Sequence, residues 1–132
     1  MKRLVAAAAA LALAGCAAMH TKPVHLSGEW GGPHVGLVLE GGLGALEYDC
    51  ASGTIDTAIA PGPDGRFTAV GTHRPGQGGP VRVGQIFTTH RADYRGTVTG
   101  ETMELTAVLE NGEVVGPYTL TRGAEPQLTR CL

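Results

Sequence analysis

The chain has 132 residues, with 10 Lys and Arg against 12 Asp and Glu, 21 glycines and 8 prolines. That length fits one domain with a modest core and leaves no room for a second. No block of like charge stands out, which argues against the clustered basic surface that nucleic acid requires.

Lys2 and Arg3 form a short positive region, and residues 4–13 are an unbroken apolar run of Leu, Val and Ala. This is the layout of a secretory signal. The run is about half of the roughly 20 residues that a membrane-spanning helix needs. At its end, Leu13-Ala14-Gly15-Cys16 resembles the lipobox of bacterial lipoproteins. The resemblance implies cleavage before Cys16 and transfer of a diacylglyceryl group to its thiol, with two or three acyl chains anchoring the product to a membrane. Ala17, in place of the Asp that favours inner-membrane retention in that family, implies an outer-membrane protein facing the periplasm in a Gram-negative host. Three segments follow: a signal peptide over 1–15, the lipidated cysteine and a flexible tether over 16–25, and a β domain over 26–132. The tether shows no periodicity and reaches about 15 Å as a random coil.

With Cys16 assigned to lipid, Cys50 and Cys131 remain. A pair of cysteines in an oxidising compartment reads as one disulfide. It would close a loop of about 80 residues, and chain entropy assigns such a closure roughly 4 to 5 kcal/mol as an upper guide.

The mature chain reads as strands. Residues 26–30 and 35–39 are the first two, followed by a glycine turn at 41–44. Residues 45–50 alternate, with Leu46, Tyr48 and Cys50 on the core side and Glu47 and Asp49 opposite. Ser52-Gly53 reads as a turn, 54–60 as a strand, and Pro61-Gly62-Pro63-Asp64-Gly65 as a break. Residues 66–73 are extended, 74–80 form the largest loop, and strand character resumes over 81–90. Residues 94–98, 103–109 and 114–121 are three consecutive strands, since Gly100-Glu101 and Asn111-Gly112 suit two-residue hairpin turns. Nothing in the body has the length of an ordinary helix, with room for at most a helical turn near 123–128. About eight strands joined by tight turns predict an all-β fold, a small antiparallel barrel or closed sandwich whose closure removes exposed edges.

Gly28-Glu29-Trp30 resembles the Gly-x-Trp that opens the first strand of calycins, the superfamily of lipocalins and avidins. Ala92-Asp93-Tyr94 is similar to that family's Thr-Asp-Tyr, and Arg122 stands where a late-strand arginine packs over the opening tryptophan. These matches cover about seven residues. They imply a barrel and name no ligand.

Catalytic spacing is not visible. After the leader only Ser27 and Ser52 offer a serine hydroxyl, and neither lies in Gly-x-Ser-x-Gly. Glu47 and Asp49 share a face, as acid and base pairs do, but alternation on a solvated strand produces such pairs automatically. His20, His25, His34, His73 and His90 lack metal-ligand spacing with each other or with cysteine, so surface histidines are expected and no metal or cofactor is assigned. The glycine clusters at 41–44 and 76–79 precede no helix that could hold a phosphate. The expectation is a non-catalytic envelope module contacting another protein or a cell-wall component through loops such as 72–80. The alternative is a calycin-like carrier of a small apolar ligand, although one Trp, three Tyr and two Phe barely fill a small core.

Overall fold

The computed structural model describes residues 23–76, 82–86 and 88–131. Residues 1–22, on which the expected signal peptide, Cys16 and most of the expected tether fall, and residues 77–81, Phe87 and Leu132 lie outside the described residues. The chain forms eight strands, β1 (Gly28–Gly32), β2 (Val35–Glu40), β3 (Leu43–Tyr48), β4 (Ala51–Ile55), β5 (Arg66–Pro75), β6 (His90–Thr99), β7 (Thr102–Leu109) and β8 (Val114–Arg122). Each strand pairs antiparallel with the next, and β8 returns to β1 through Trp30↔Arg122 and Gly31↔Thr121, closing a barrel. Closure satisfies both backbone edges at once, which a sheet of short strands with glycine-rich hairpins otherwise leaves open.

The period-two pattern decides which side chains fill the inside. Leu37 and Leu39 of β2, Leu46 and Tyr48 of β3, Phe67 and Ala69 of β5, Ala92 and Tyr94 of β6, and Met103, Leu105, Ala107 and Leu109 of β7 are all buried in one cluster with Trp30 and Leu120. Their intervening neighbours face out. An eight-stranded barrel is just wide enough for its own side chains to occupy the interior.

The two ends differ. At the end where the chain enters, Leu26 N donates to Ile59 O (2.8 Å), Gly42 N to Leu26 O (2.9 Å) and Ile59 N to Gly42 O (3.0 Å), so three segments lock over the fully buried Ile59 and Trp30. The opposite end carries the β1–β2, β3–β4, β5–β6 and β7–β8 connections. After β8 the chain runs as a strap over the outer face of β1 and β2. Pro33 and Gln127 form a bridge, His34 N donates to Gln127 O (2.9 Å) and Gln127 N to Gly32 O (3.1 Å). The strap passes so close that a Cβ on Gly31 would stand 2.2 Å from Ala124 O, and one on Gly36 2.5 Å from Pro126 Cγ. Cys50 and Cys131 stand at disulfide distance, with Cα atoms 5.2 Å apart at a sequence separation of 81, which pins the strap's end to the β3–β4 turn.

Several local expectations are corrected. Ser52-Gly53 lies inside β4, and the turn falls at Asp49-Cys50, because Tyr48 pairs with Ala51. Gly53 is a strand residue for a packing reason, since a Cβ there would meet the Tyr94 hydroxyl at 2.5 Å. Cys50 therefore sits exposed in the turn rather than on the core side. The strand expected over 54–60 stops at Ile55. Asp56 N and Thr57 N both turn to Val70 O, and the chain crosses the barrel end to deliver Ile59. Among the described residues of 81–90, Gln85 N bonds Arg82 O (3.0 Å) as a turn, and the strand begins only at His90. Residues 123–128 form the extended strap, with no helical turn.

Candidate functional site

The strand parity that buries the core also determines what lies at the end opposite the chain's entry. Phe67, Ala69, Gly71 and His73 point inward along β5, so the last inward position is a histidine. Its side chain is 5% exposed. Tyr48, the last inward residue of β3, lies beside it with ring centroids 5.4 Å apart, and the Tyr118 ring of β8 also meets Tyr48, at 5.3 Å. His90 pairs with His73 across β5 and β6, and Tyr94 lies deeper, donating its hydroxyl to Thr72 O at 2.6 Å.

The cluster is held electrically neutral at its centre. Burial pushes the Tyr48 phenol well above its ordinary range, reinforced by Tyr94 and Tyr118. Burial likewise raises Tyr94 to about 12, with its hydrogen bond from Tyr48 opposing and Asp56 adding to the rise. Tyr118 is raised by burial and by Asp49. The His73 imidazole is pushed down from its usual value, first by burial and also by His90, with Glu113 pulling the other way. A neutral imidazole buried among neutral phenols still has two ring nitrogens to satisfy, and His73 Nδ1 has no hydrogen-bond partner among the described residues. It is the one buried side-chain polar atom there of which this is true.

Charges ring this centre. His90 Nδ1 donates to Glu110 at 3.3 Å. His34 Nδ1 donates to Asp49 Oδ2 at 2.6 Å, and Thr129 N to Asp49 Oδ1 at 2.7 Å, so Asp49 ties the β3–β4 turn to both the β1–β2 turn and the strap. Glu113, in the β7–β8 connection, has no side-chain partner among the described residues and is exposed.

The residues singled out from sequence are thus dispersed. Glu47 stays on the outward face of β3, while Asp49 is committed to structural bonds, so the two do not form a working acid and base pair. Ser27 Oγ accepts from Gly41 N at 3.3 Å, and Ser52 is exposed on β4. His25 and His34 are exposed. His73 is the correction among the histidines, buried where a surface position was expected; counting in twos from Phe67 would have revealed it. Among the described residues, no three His, Cys, Asp or Glu side chains are grouped to hold a metal ion. Concavities among the described residues lie on the outside of the barrel. One of about 790 Å³ runs across β5, β6 and β7 between Arg66, Arg95 and Glu104, and one of about 390 Å³ lies between the strap and β1 to β3. Arg122 packs over Trp30 toward the end where the chain enters, its guanidinium carbon 4.4 Å from the ring centroid.

No known protein family, curated protein or solved structure matches this chain.

Proposed function

We propose that this protein is a lipid-anchored envelope protein, acylated on Cys16, whose barrel is a non-catalytic module that binds a protein or cell-wall partner at the end bearing His73. In a Gram-negative host it faces the periplasm from the outer membrane. The observation that carries the binding reading is the buried Nδ1 of His73, without a hydrogen-bond partner among the described residues and beside the Tyr48 ring, at the end remote from the point where the tether joins the barrel. Buried polar atoms are nearly always hydrogen-bonded, and exceptions concentrate where a ligand or water completes the set. The disulfide distance between Cys50 and Cys131 supports the exported address, because such bonds persist in oxidising compartments.

Intact-mass spectrometry of the native product tests the address: loss of residues 1–15 with an acylated Cys16 is expected, and an unmodified thiol with the leader attached refutes it. Crosslinking in intact cells followed by purification tests the module. A specific partner recovered with the unaltered chain and lost with His73→Phe is expected; recovery that is indifferent to that substitution places binding elsewhere.

A calycin-like carrier is the second reading. The eight-stranded up-and-down barrel and the stacking of Arg122 on Trp30 favour it. Against it, Trp30, Leu37, Leu46, Tyr94, Met103, Leu105 and Leu120 are buried against one another in the interior. Native mass spectrometry showing a co-purified apolar molecule would restore the carrier.

A further inference from the structure

Strand β5 has ten residues, but β4 covers only its second half, because β4 stops at Ile55 and the chain leaves to cross the barrel end. In an antiparallel ladder the N–H and C=O of alternate residues face the same neighbour, and the even-numbered residues of β5 face β4. Thr72 and Arg74 stand opposite Thr54 and Ser52. Beyond Ile55 the edge is closed by other means. Val70 O accepts from Asp56 N at 2.8 Å and from Thr57 N at 3.1 Å, and Val70 N donates to Thr57 Oγ1 at 2.7 Å. Arg66 O accepts from Gly62 N at 2.9 Å, and Arg66 N donates to Asp64 Oδ1 at 3.1 Å. Between these two stands Thr68, whose edge-facing N–H and C=O have no partner among the described residues. Thr68 is exposed and lines two concavities, of about 790 Å³ and about 260 Å³.

We propose that this one-residue gap is a docking site for an extended peptide of a partner protein, whose main chain pairs with Thr68 and whose carboxylate side chain meets Arg95. The site lies on the flank of the barrel, apart from His73, and goes beyond the binding reading above.

An extended peptide residue offers one N–H and one C=O on the same edge, the two groups that complete Thr68. An apolar ligand offers neither, and a lone ion answers only one of them. Ala58, Ala60 and Gly62 line the larger concavity together with Thr68, and side chains that small leave room for a main chain. A residue directly opposite Thr68 carries its side chain on the same face, outward. Arg95 is the register partner of Thr68 on its other side and is also outward and exposed. The peptide and β6 would lie two strand spacings apart, roughly 10 Å, a span that an arginine and a glutamate side chain bridge together over the short threonine. Among the described residues no carboxylate forms an ion pair with Arg95, although Asp93 and Glu104 share its outer face, while Arg66 is engaged with Asp64 at 3.7 Å. A basic side chain opposite Thr68 would meet Arg95 with like charge, which opposes binding.

The test uses the native product purified in detergent and isotope-labelled, with the backbone amide signals of Thr68, Val70 and Arg95 followed by NMR at neutral pH. The probes are the capped pentapeptides Thr-Val-Glu-Val-Thr and Thr-Val-Lys-Val-Thr, and the first of these N-methylated at its glutamate. Saturable shifts centred on Thr68 are expected with the glutamate peptide. Binding should be roughly tenfold weaker with the lysine peptide, and also with the N-methylated one, which cannot donate to Thr68 O. Arg95→Gln, a change on the exposed outer face, should bring the glutamate and lysine peptides close to equal. Equal binding of those two by the unaltered protein overturns the acidic ligand, and undiminished binding of the N-methylated peptide overturns the main-chain pairing. No response to any peptide means that water alone completes Thr68, and the site is refuted. Crosslinking at the His73 end has its own readout, so the two readings fail separately.

Discussion

Arg122 and Trp30 face each other across the β1–β8 seam as a register pair, with the guanidinium stacked on the indole. The same arginine donates to Ser27 O at 3.1 Å and pairs with Glu101 at 3.2 Å. One side chain on the last strand therefore holds the first strand, the segment that enters it and the β6–β7 turn. A barrel is stable only when its final strand finds its first, so this contact acts at the point where closure is completed.

Arg122→Ala is expected to lower stability by about 1–2 kcal/mol, combining a partly exposed cation–π contact with a lost hydrogen bond. Glu101→Gln should cost no more than about 0.5 kcal/mol, because that ion pair is solvent-exposed. Trp30 is the single tryptophan, so its fluorescence during urea unfolding reports both variants. Equal losses in the two would mean that the ion pair, not the stack, holds the seam.

Reduction of the Cys50 and Cys131 pair, or Cys131→Ser, should remove up to roughly 4 to 5 kcal/mol by the chain-entropy model. Hydrogen exchange should accelerate first at Gln127 and His34, whose amides join the strap to β1 and to the β1–β2 turn. Uniform acceleration through β5 to β7 would show that the strap is not a separately released unit.

Gly36→Val places side-chain atoms where Pro126 lies and should displace the strap, with a loss of about 1–3 kcal/mol for overpacking. In a Cys131→Ser background, where the strap is less constrained, the same substitution should cost less. A double-mutant cycle measures this coupling, and strict additivity would show that the strap does not transmit the clash.

Stability should fall as pH drops below the ordinary histidine value of 6.5, because the His73 imidazole is pushed down in the folded barrel. In that window the unfolded chain binds a proton that the folded one resists, so the unfolded state gains. The groups that act on it are Glu113 and His90, with the Tyr48 ring packed beside it. His73→Phe should flatten the slope between pH 7 and the region of acid unfolding, as followed by urea midpoints at successive pH values. A slope unchanged in that variant would assign the acid sensitivity to other groups.

Much of the fold was legible in the chain because alternation is a local property. Leu46 and Tyr48 declared the inward face of β3, and Asn111-Gly112 marked the β7–β8 hairpin before any pairing was known. Errors arose where a glycine was read as punctuation. Gly53 looked like a turn residue, but it is small because Tyr94, 41 residues later in sequence, brings its hydroxyl to that spot. The strand read over 54–60 failed for a related reason. Ile59 has strand character, yet its role is to cover the barrel end, a requirement that exists only once the barrel has closed. His73 was misread as a surface residue because its polarity was weighed and its parity was not.

By itself the sequence determined an antiparallel all-β body of about eight strands and the tight turn at Asn111-Gly112 that joins two of them. Each of these depends on residues close together in the chain, or on composition alone. Only the tertiary structure decided that β8 meets β1, that the C-terminal segment straps across Gly31 and Gly36, and that His73, Tyr48 and Tyr118 converge at one end. Those neighbours come from strands far apart in sequence, and their meeting is set by register and closure, which no local pattern encodes.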